Sequence, residues 1–203
     1  MGRPKREEHR LARRQAILEA AMKLFTQRGY AAATIRGIAR EAAIAQGTIY
    51  LYFPSKRDIL LALYRSMVLE SMEEILARPE QEDDEAFLTT LLTDRIRRFR
   101  QNPRAVRFAF TELPFHKGLR EKFYREIALE QVNRLRSFLH DRITRGKFRP
   151  LRTEVAARAF QGMYVMFALA EIVHGDAEVG RLTPEEIADE VVQLFLHGAI
   201  RRD

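Results

Sequence analysis

The residues with most chemistry to offer lie in one short stretch, AQGTIYLYFPSK, from Ala45 to Lys56. Gln46 carries an amide that can pair bidentately with an adenine edge, and Leu51 offers an apolar surface to a thymine methyl group. Gly47 lets a backbone approach a partner closely. Thr48, Tyr50 and Lys56 can reach phosphate oxygens. This chemistry works only if the side chains share an outward face. By composition TIYLYF suits a strand, being β-branched and aromatic with a Pro54-Ser55 breaker behind it. A strand needs a partner, however, and both flanks repeat apolar residues at helical spacing. Wound as a helix at about 100° per residue, Ile49, Tyr52 and Phe53 gather on an inward arc. Gln46, Gly47, Thr48 and Leu51 spread over the other side, with Tyr50 at its edge. That exposed arc suits a DNA major groove better than it suits water.

The elements that would position this face are legible around it. A first helix is expected from about Arg10 to Arg28, with Ile17, Ala20, Ala21, Leu24 and Phe25 on one face and Gly29 at a left-handed C-cap. Thr34 is a good N-cap for a second, short helix, in which Ile35, Ile38, Ala39 and Ala42 fall at i, i+3, i+4 and i+7. Ser55 can cap a long helix from Lys56 to about Leu76. Two short helices joined by a tight turn, the second facing outward, make a helix-turn-helix. Beyond the acidic stretch RPEQEDDE, further helices are expected near residues 85–101, 103–113, 119–145, 153–174 and 184–201, punctuated by NP, LPF, RGKFRP and HGD. The fold class is therefore all-α, about nine helices. Residues 1–55 form a DNA-binding unit with a basic N-terminal arm, and residues 56–203 form a helical regulatory unit.

At these residues the chain resembles the DNA-binding domain of the tetracycline-repressor (TetR) family. The likeness rests on A..LF...G in the first helix, a Thr before I..IA..A, and GT.Y.YF..K, all at fixed offsets. It implies that Thr34, Gln46, Gly47, Thr48, Tyr50, Tyr52 and Lys56 face DNA, and that the remainder binds a ligand and dimerises. Three positions depart from the usual pattern. Ala43 stands where the inter-helix turn commonly has Gly, and a left-handed Ala there would cost about 1 kcal/mol. Ala45 stands where a Ser cap is common. Gln46 replaces a frequent Lys, trading a salt-dependent contact for a base contact.

Charge supports the same division. Residues 1–56 hold eleven Lys/Arg and four acids, an excess equal to the chain's whole net charge of +7. A basic module on a neutral body is the footprint of binding to a polyanion. The N-terminal GRPKR resembles the minor-groove core of an AT-hook, so the arm either enters that groove or gives only general attraction.

One such module reads too few bases to be selective, so a dimer on a two-fold DNA site is expected. The last two helices are the candidates. ARAFQGMYVMFALAEIV is apolar nearly all round, and EIADEVVQLFLHGAI carries a stripe of Ile187, Val191, Leu194, Phe195 and Ile200. For a small-molecule effector, Phe87, Leu91, Phe99, Phe108, Phe123, Ile127, Met163 and Phe167 supply an adaptable apolar inventory, which also suits an ordinary core. Gln131, His116, Tyr164 and Glu171 are polar groups within those stripes. The Arg-dense DRIRRFRQNPRAVRF suggests a basic mouth, which would fit an acyl-coenzyme A or another amphipathic anion. GTIYLYF also resembles the fatty-acid-responsive branch of the family.

Other classes find less support. The chain has no cysteine, which excludes disulfides, zinc-thiolate sites and a cysteine nucleophile. The five histidines show no metal-ligand spacing, and no nucleophile elbow or phosphate-cradling glycine loop is present. No cofactor or enzymatic activity is expected. The charged N-terminus lacks the apolar core of a secretory signal, and the longest apolar run, Met163 to Ala170, is short for a bilayer span. A cytoplasmic protein is expected, with no membrane partner. The rival readings are a basic helical protein that binds membrane surfaces and a non-specific nucleoid protein.

Overall fold

The computed structural model describes residues 3–70, 72–73 and 83–199. The chain divides into two compact units, Met1–Ser66 and Met67–Asp203. The division expected after residue 55 falls inside the first of these. Among the described residues every regular element is helical. The first five residues of the acidic stretch RPEQEDDE, 78–82, lie outside the described residues, as do Leu76 and Ile200.

The first unit is built from α1 (Arg3–Ala32), α2 (Ile35–Glu41), α3 (Gln46–Tyr50) and α4 (Lys56–Arg65). The helix α1 begins earlier than its apolar pattern does, so the backbone of the basic arm is helical from Arg3. It breaks at Gly29, whose φ of 80° and ψ of 160° leave the helical region. That conformation is cheap only for glycine. Ile17, Ala21, Ile38, Ile49 and Ile59 are all fully buried, one or more from each helix. Apolar periodicity thus supplies one shared core.

Ser66–Glu70 follows α4 as a π-helical turn. The second unit then contains α5 (Asp84–Gln101), α6 (Pro103–Thr111), α7 (Lys117–Phe123), α8 (Leu129–Thr144), α9 (Thr153–Ala168), α10 (Ala177–Arg181) and α11 (Pro184–Ala199). A π-helical turn, Tyr124–Ala128, makes α7 and α8 continuous, as the single helix expected there required. Another, Leu169–Val173, extends α9. The main core joins Leu88 and Leu92 of α5, Leu135 and Leu139 of α8, Phe160 of α9 and Val192 of α11. A smaller cluster gathers Val106, Ala168 and Ile172.

With its π turn, α9 forms a 21-residue helix, Thr153–Val173, long and apolar enough by length and composition alone to cross a bilayer. The eight-residue run seen in the sequence understated it. Buried residues on this helix are Ala157, Phe160, Tyr164, Ala168 and Ile172, at spacings of three and four. Those spacings describe one core-facing stripe.

Candidate nucleic-acid interface and effector site

The segment whose composition favours a strand is a helix. Gln46–Tyr50 is α-helical, Leu51 keeps αR geometry, and the amides of Tyr52 and Phe53 both donate to the Ile49 carbonyl at 2.9 Å. Burial decides the conflict with propensity. Ile49 and Phe53 are buried, and a helical turn brings them to one side. Leu51 is left 83% exposed and Tyr50 51% exposed. Gln46 and Gly47 are exposed as well, whereas Thr48 and Tyr52 are half-buried. Beyond its chain neighbours and the backbone of its own helix, nothing lies within 4 Å of where a side chain would start on Gly47, so a partner can reach that backbone.

The turn before α3 holds Ala43 at φ 53°, the only left-handed non-glycine residue described. Ala45 occupies the N-cap of α3 with no side-chain bond. Thr34 is exposed, and its hydroxyl accepts from the Gly37 amide at 3.0 Å, capping α2. The side chain of Lys23 reaches Glu41 at 2.5 Å and ties α1 to α2. The hydrogen bond from Lys23 lowers the pKa of the Glu41 carboxyl.

Lys56, expected at a phosphate, is engaged within its own domain. Its ammonium donates to the carbonyls of Tyr30, Ala31 and Ala33 at 2.8, 3.3 and 2.9 Å. It also lies over the Tyr30 ring. Those carbonyls belong to the end of α1 and the connection beyond, where the helix runs out of its own donors. Burial lowers the lysine's pKa. Spacing put Lys56 near the DNA-facing side, but gave no sign of three carbonyls competing for its charge.

The expected effector residues scatter. Phe87 stacks on Phe138 at 4.7 Å between ring centroids. Phe99 sits against both core clusters, and Met163 and Phe167 pack against the main one. Ile127 is buried, Phe108 is buried beside His116, and Phe123 is half-buried. Of the nine expected residues, Leu91 and Gln131 line one cavity among the described residues of this unit. Met72, Leu92, Leu135 and Phe160 close its apolar side, and Arg95, Gln161 and Tyr164 join Gln131 on the polar side. Its volume is about 10 Å³, room for about one water.

The arginines expected at a basic mouth are mostly committed. Arg98 pairs with Asp94 at 2.9 Å, Arg100 with Glu171 at 2.9 Å, and Arg97 with Glu185. Arg107 donates to the carbonyls of Ile172 and Val173. Arg95 is the exception, since it lies inside rather than at any mouth. It is 2% exposed and donates to the carbonyls of Met67 and Val68 at 2.8 and 2.7 Å. Among the described residues no carboxylate pairs with it. Beside it Gln131 donates to the Tyr164 hydroxyl, and Gln161 donates to Gln131 at 2.9 Å. Burial pulls the Arg95 guanidinium below its usual range and pushes the buried Tyr164 phenol above its own. Arg95 sits one turn from Leu91 and Leu92 on α5, so helical phase alone places it on the inward face. That phase was the available signal.

The described residues include no group of three or more His, Asp or Glu placed to hold a metal.

The family model of bacterial regulatory proteins, tetR family, matches residues 17–63. The model of the AefR-like transcriptional repressor C-terminal domain matches residues 86–198. The chain is 41% identical over 61 residues to the fatty acid metabolism regulator protein of Bacillus subtilis (strain 168), a match covering 29% of this chain and 31% of that protein. The chain therefore spans less than a third of that relative's length. Two solved structures share the fold. One is the transcriptional regulator FadR from Bacillus subtilis in complex with stearoyl-CoA, with a TM-score of 0.75 at 22% identity, covering 91% of this chain and 98% of that one. The other is a transcriptional regulator from Saccharomonospora viridis in complex with choline, with a TM-score of 0.69 at 21% identity, covering 93% and 98%.

Proposed function

Because the chain belongs to the TetR family of bacterial transcriptional regulators, we propose that it represses transcription by binding a two-fold operator as a dimer, and that an amphipathic effector releases it. The observation carrying the DNA reading is the contrast along α3. Leu51 is 83% exposed between Ile49 and Phe53, which are buried. An apolar side chain is held outward next to Gln46, Gly47 and Tyr50, where a groove floor would cover it. Gln46 and Leu51 read bases, while Thr34, Thr48, Tyr50 and Tyr52 approach the backbone. Lys56 contributes by fixing the domain rather than by touching phosphate.

Dimerisation is supported by the outer face of α9. Val155, Ala159, Gly162 and Met166 are all exposed at spacings of four, three and four, and Val155 and Met166 are 62% and 59% exposed. That is a seam for a second helix. The stripe expected on α11 divides. Ile187 and Val191 are used in the chain's own core, while Leu194 is exposed. The two-fold partner in this reading packs chiefly on α9. The protein works where DNA is, in the cytoplasm.

An acyl-coenzyme A is the specific effector candidate, supported by the fatty acid regulator and the stearoyl-CoA complex among the similar proteins. The effector acts only if it binds the off-DNA arrangement better than the operator-bound one. Selection of bound fragments from random DNA, followed by sequencing, tests the reading, with a two-fold symmetric motif expected. Enrichment of no motif, with affinity governed by salt alone, would leave a non-specific nucleoid protein instead. Palmitoyl-CoA giving no heat in titration and no release of the selected operator would remove that effector.

A further inference from the structure

Arg95 is a buried guanidinium that hydrogen-bonds no carboxylate among the described residues; Asp94, next to it in the chain, acts on it through its charge but is itself paired with Arg98. A guanidinium taken out of water is costly unless an anion is paired with it, and two backbone carbonyls supply dipoles but no charge. Its two bonds to Met67 and Val68 use two of its five N–H groups. The Tyr164 hydroxyl accepts from Gln131 and so retains its own proton to donate. Arg95, Tyr164, Gln131 and Gln161 all border one cavity, whose remaining walls are leucine, methionine and phenylalanine. Donors converging on an apolar space select an acceptor-only, negatively charged group with an apolar body.

We propose that Arg95 is the anchor for the carboxylate of an amphipathic carboxylic acid effector, with Tyr164 as its second donor. This rests on the reading that the C-terminal unit takes an effector, and puts a free carboxylic acid in place of the acyl-coenzyme A. In an acyl-coenzyme A the charges lie on the nucleotide, and the end that would enter an apolar interior is a neutral thioester and chain. A free acid brings its charge with it. Solved structures of this fold hold both stearoyl-CoA and choline, so the ligand class has to be read from the site and not from the fold.

The same guanidinium gives the ligand its leverage. Ser66 ends the DNA-reading unit, and Met67 and Val68 are the next two residues in the chain. Their carbonyls, and that of Leu69 held by Arg134 at 3.1 Å, are three successive acceptors of the π-helical turn. A carboxylate forms shorter and stronger bonds to a guanidinium than a carbonyl does. It draws Arg95 from Met67 and Val68 and leaves that turn held by Arg134 alone. Because the closed cavity holds about 10 Å³, binding also opens the Gln161–Gln131–Tyr164 chain.

The test uses the full chain on its selected operator, with DNA release followed by fluorescence anisotropy and binding by calorimetry. Decanoate, palmitate and 4-phenylbutyrate are each compared with the matching alcohol. At least one acid should bind at least about tenfold tighter than its alcohol and release the DNA. Arg95→Met should make acid and alcohol equal. Arg95→Lys, which keeps the charge without the fork, should retain a reduced preference, and it covers the case in which the methionine variant does not fold. No acid preferred over its alcohol in the wild type overturns the proposal. So does an acid preference that survives in folded Arg95→Met. Release by palmitoyl-CoA with no response to any acid leaves the regulator reading standing and removes this anchor. Acid binding through Arg95 without sequence-selective DNA binding does the reverse.

Discussion

The ammonium of Lys56 lies 4.3 Å from the centroid of the Tyr30 ring and donates to that residue's own carbonyl at 2.8 Å. One side chain at the start of α4 thus closes the ragged end of α1, where Gly29 has broken the helix. Lys56→Met removes a charged donor from three carbonyls and a cation–π contact. It should destabilise the N-terminal unit by about 2 kcal/mol, read by urea unfolding. A lysine serving only phosphate would leave the unfolding midpoint in place and lower affinity for DNA alone.

Ala43 holds a left-handed conformation at φ 53°. Glycine adopts that region without the Cβ clash, so Ala43→Gly should raise stability by about 0.5–1 kcal/mol despite the added freedom of the unfolded chain. The midpoint of thermal unfolding should rise by several degrees. A lowered midpoint would show that the methyl group is holding the turn.

Gln46 and Tyr50 lie on the same exposed arc and should fail differently. Gln46→Ala should cost about 1–3 kcal/mol at one base position and relax preference there. Tyr50→Ala should weaken every sequence by a similar factor. Affinities measured across all single-base variants of the operator separate the two, and equal uniform losses from both would remove the division of labour.

Met166 is 59% exposed at the C-terminal end of the outer α9 face. Met166→Glu buries a charge in any two-fold helix pair formed there. Sedimentation should show a folded monomer, and operator affinity should fall at least about tenfold. A variant that stays dimeric would put the two-fold contact elsewhere.

The Lys23–Glu41 pair carries a pH signature. The folded pKa of Glu41 lies below its unfolded value, because Lys23 hydrogen-bonds the ionised form. Its stabilising contribution is therefore present above the unfolded value and is lost as pH falls through the lowered folded value. Unfolding midpoints of the wild type and Lys23→Met should differ at neutral pH and converge in acid. A gap that persists in acid would trace the effect to packing.

The sequence by itself determined most of the helices, their order and the direction in which α3 faces, though not α10 or the start of α1 at Arg3. Each rests on local periodicity, and a spacing of three or four residues fixes a face whatever lies opposite. The resemblance to the TetR pattern, rather than periodicity, pointed to the left-handed turn at Ala43 and the empty cap at Ala45. Tertiary structure alone decided where long charged side chains end. Lys56 turns inward to three carbonyls, Arg97 and Arg100 find acids far along the chain, and Arg95, whose inward phase is legible in the sequence, finds the Met67 and Val68 carbonyls. A lysine or arginine reaches far enough to choose among partners remote in the chain, so its neighbours in sequence do not specify its contacts. The same reason scattered the aromatic residues expected at one site, since burial is shared by core and cavity and only packing separates them.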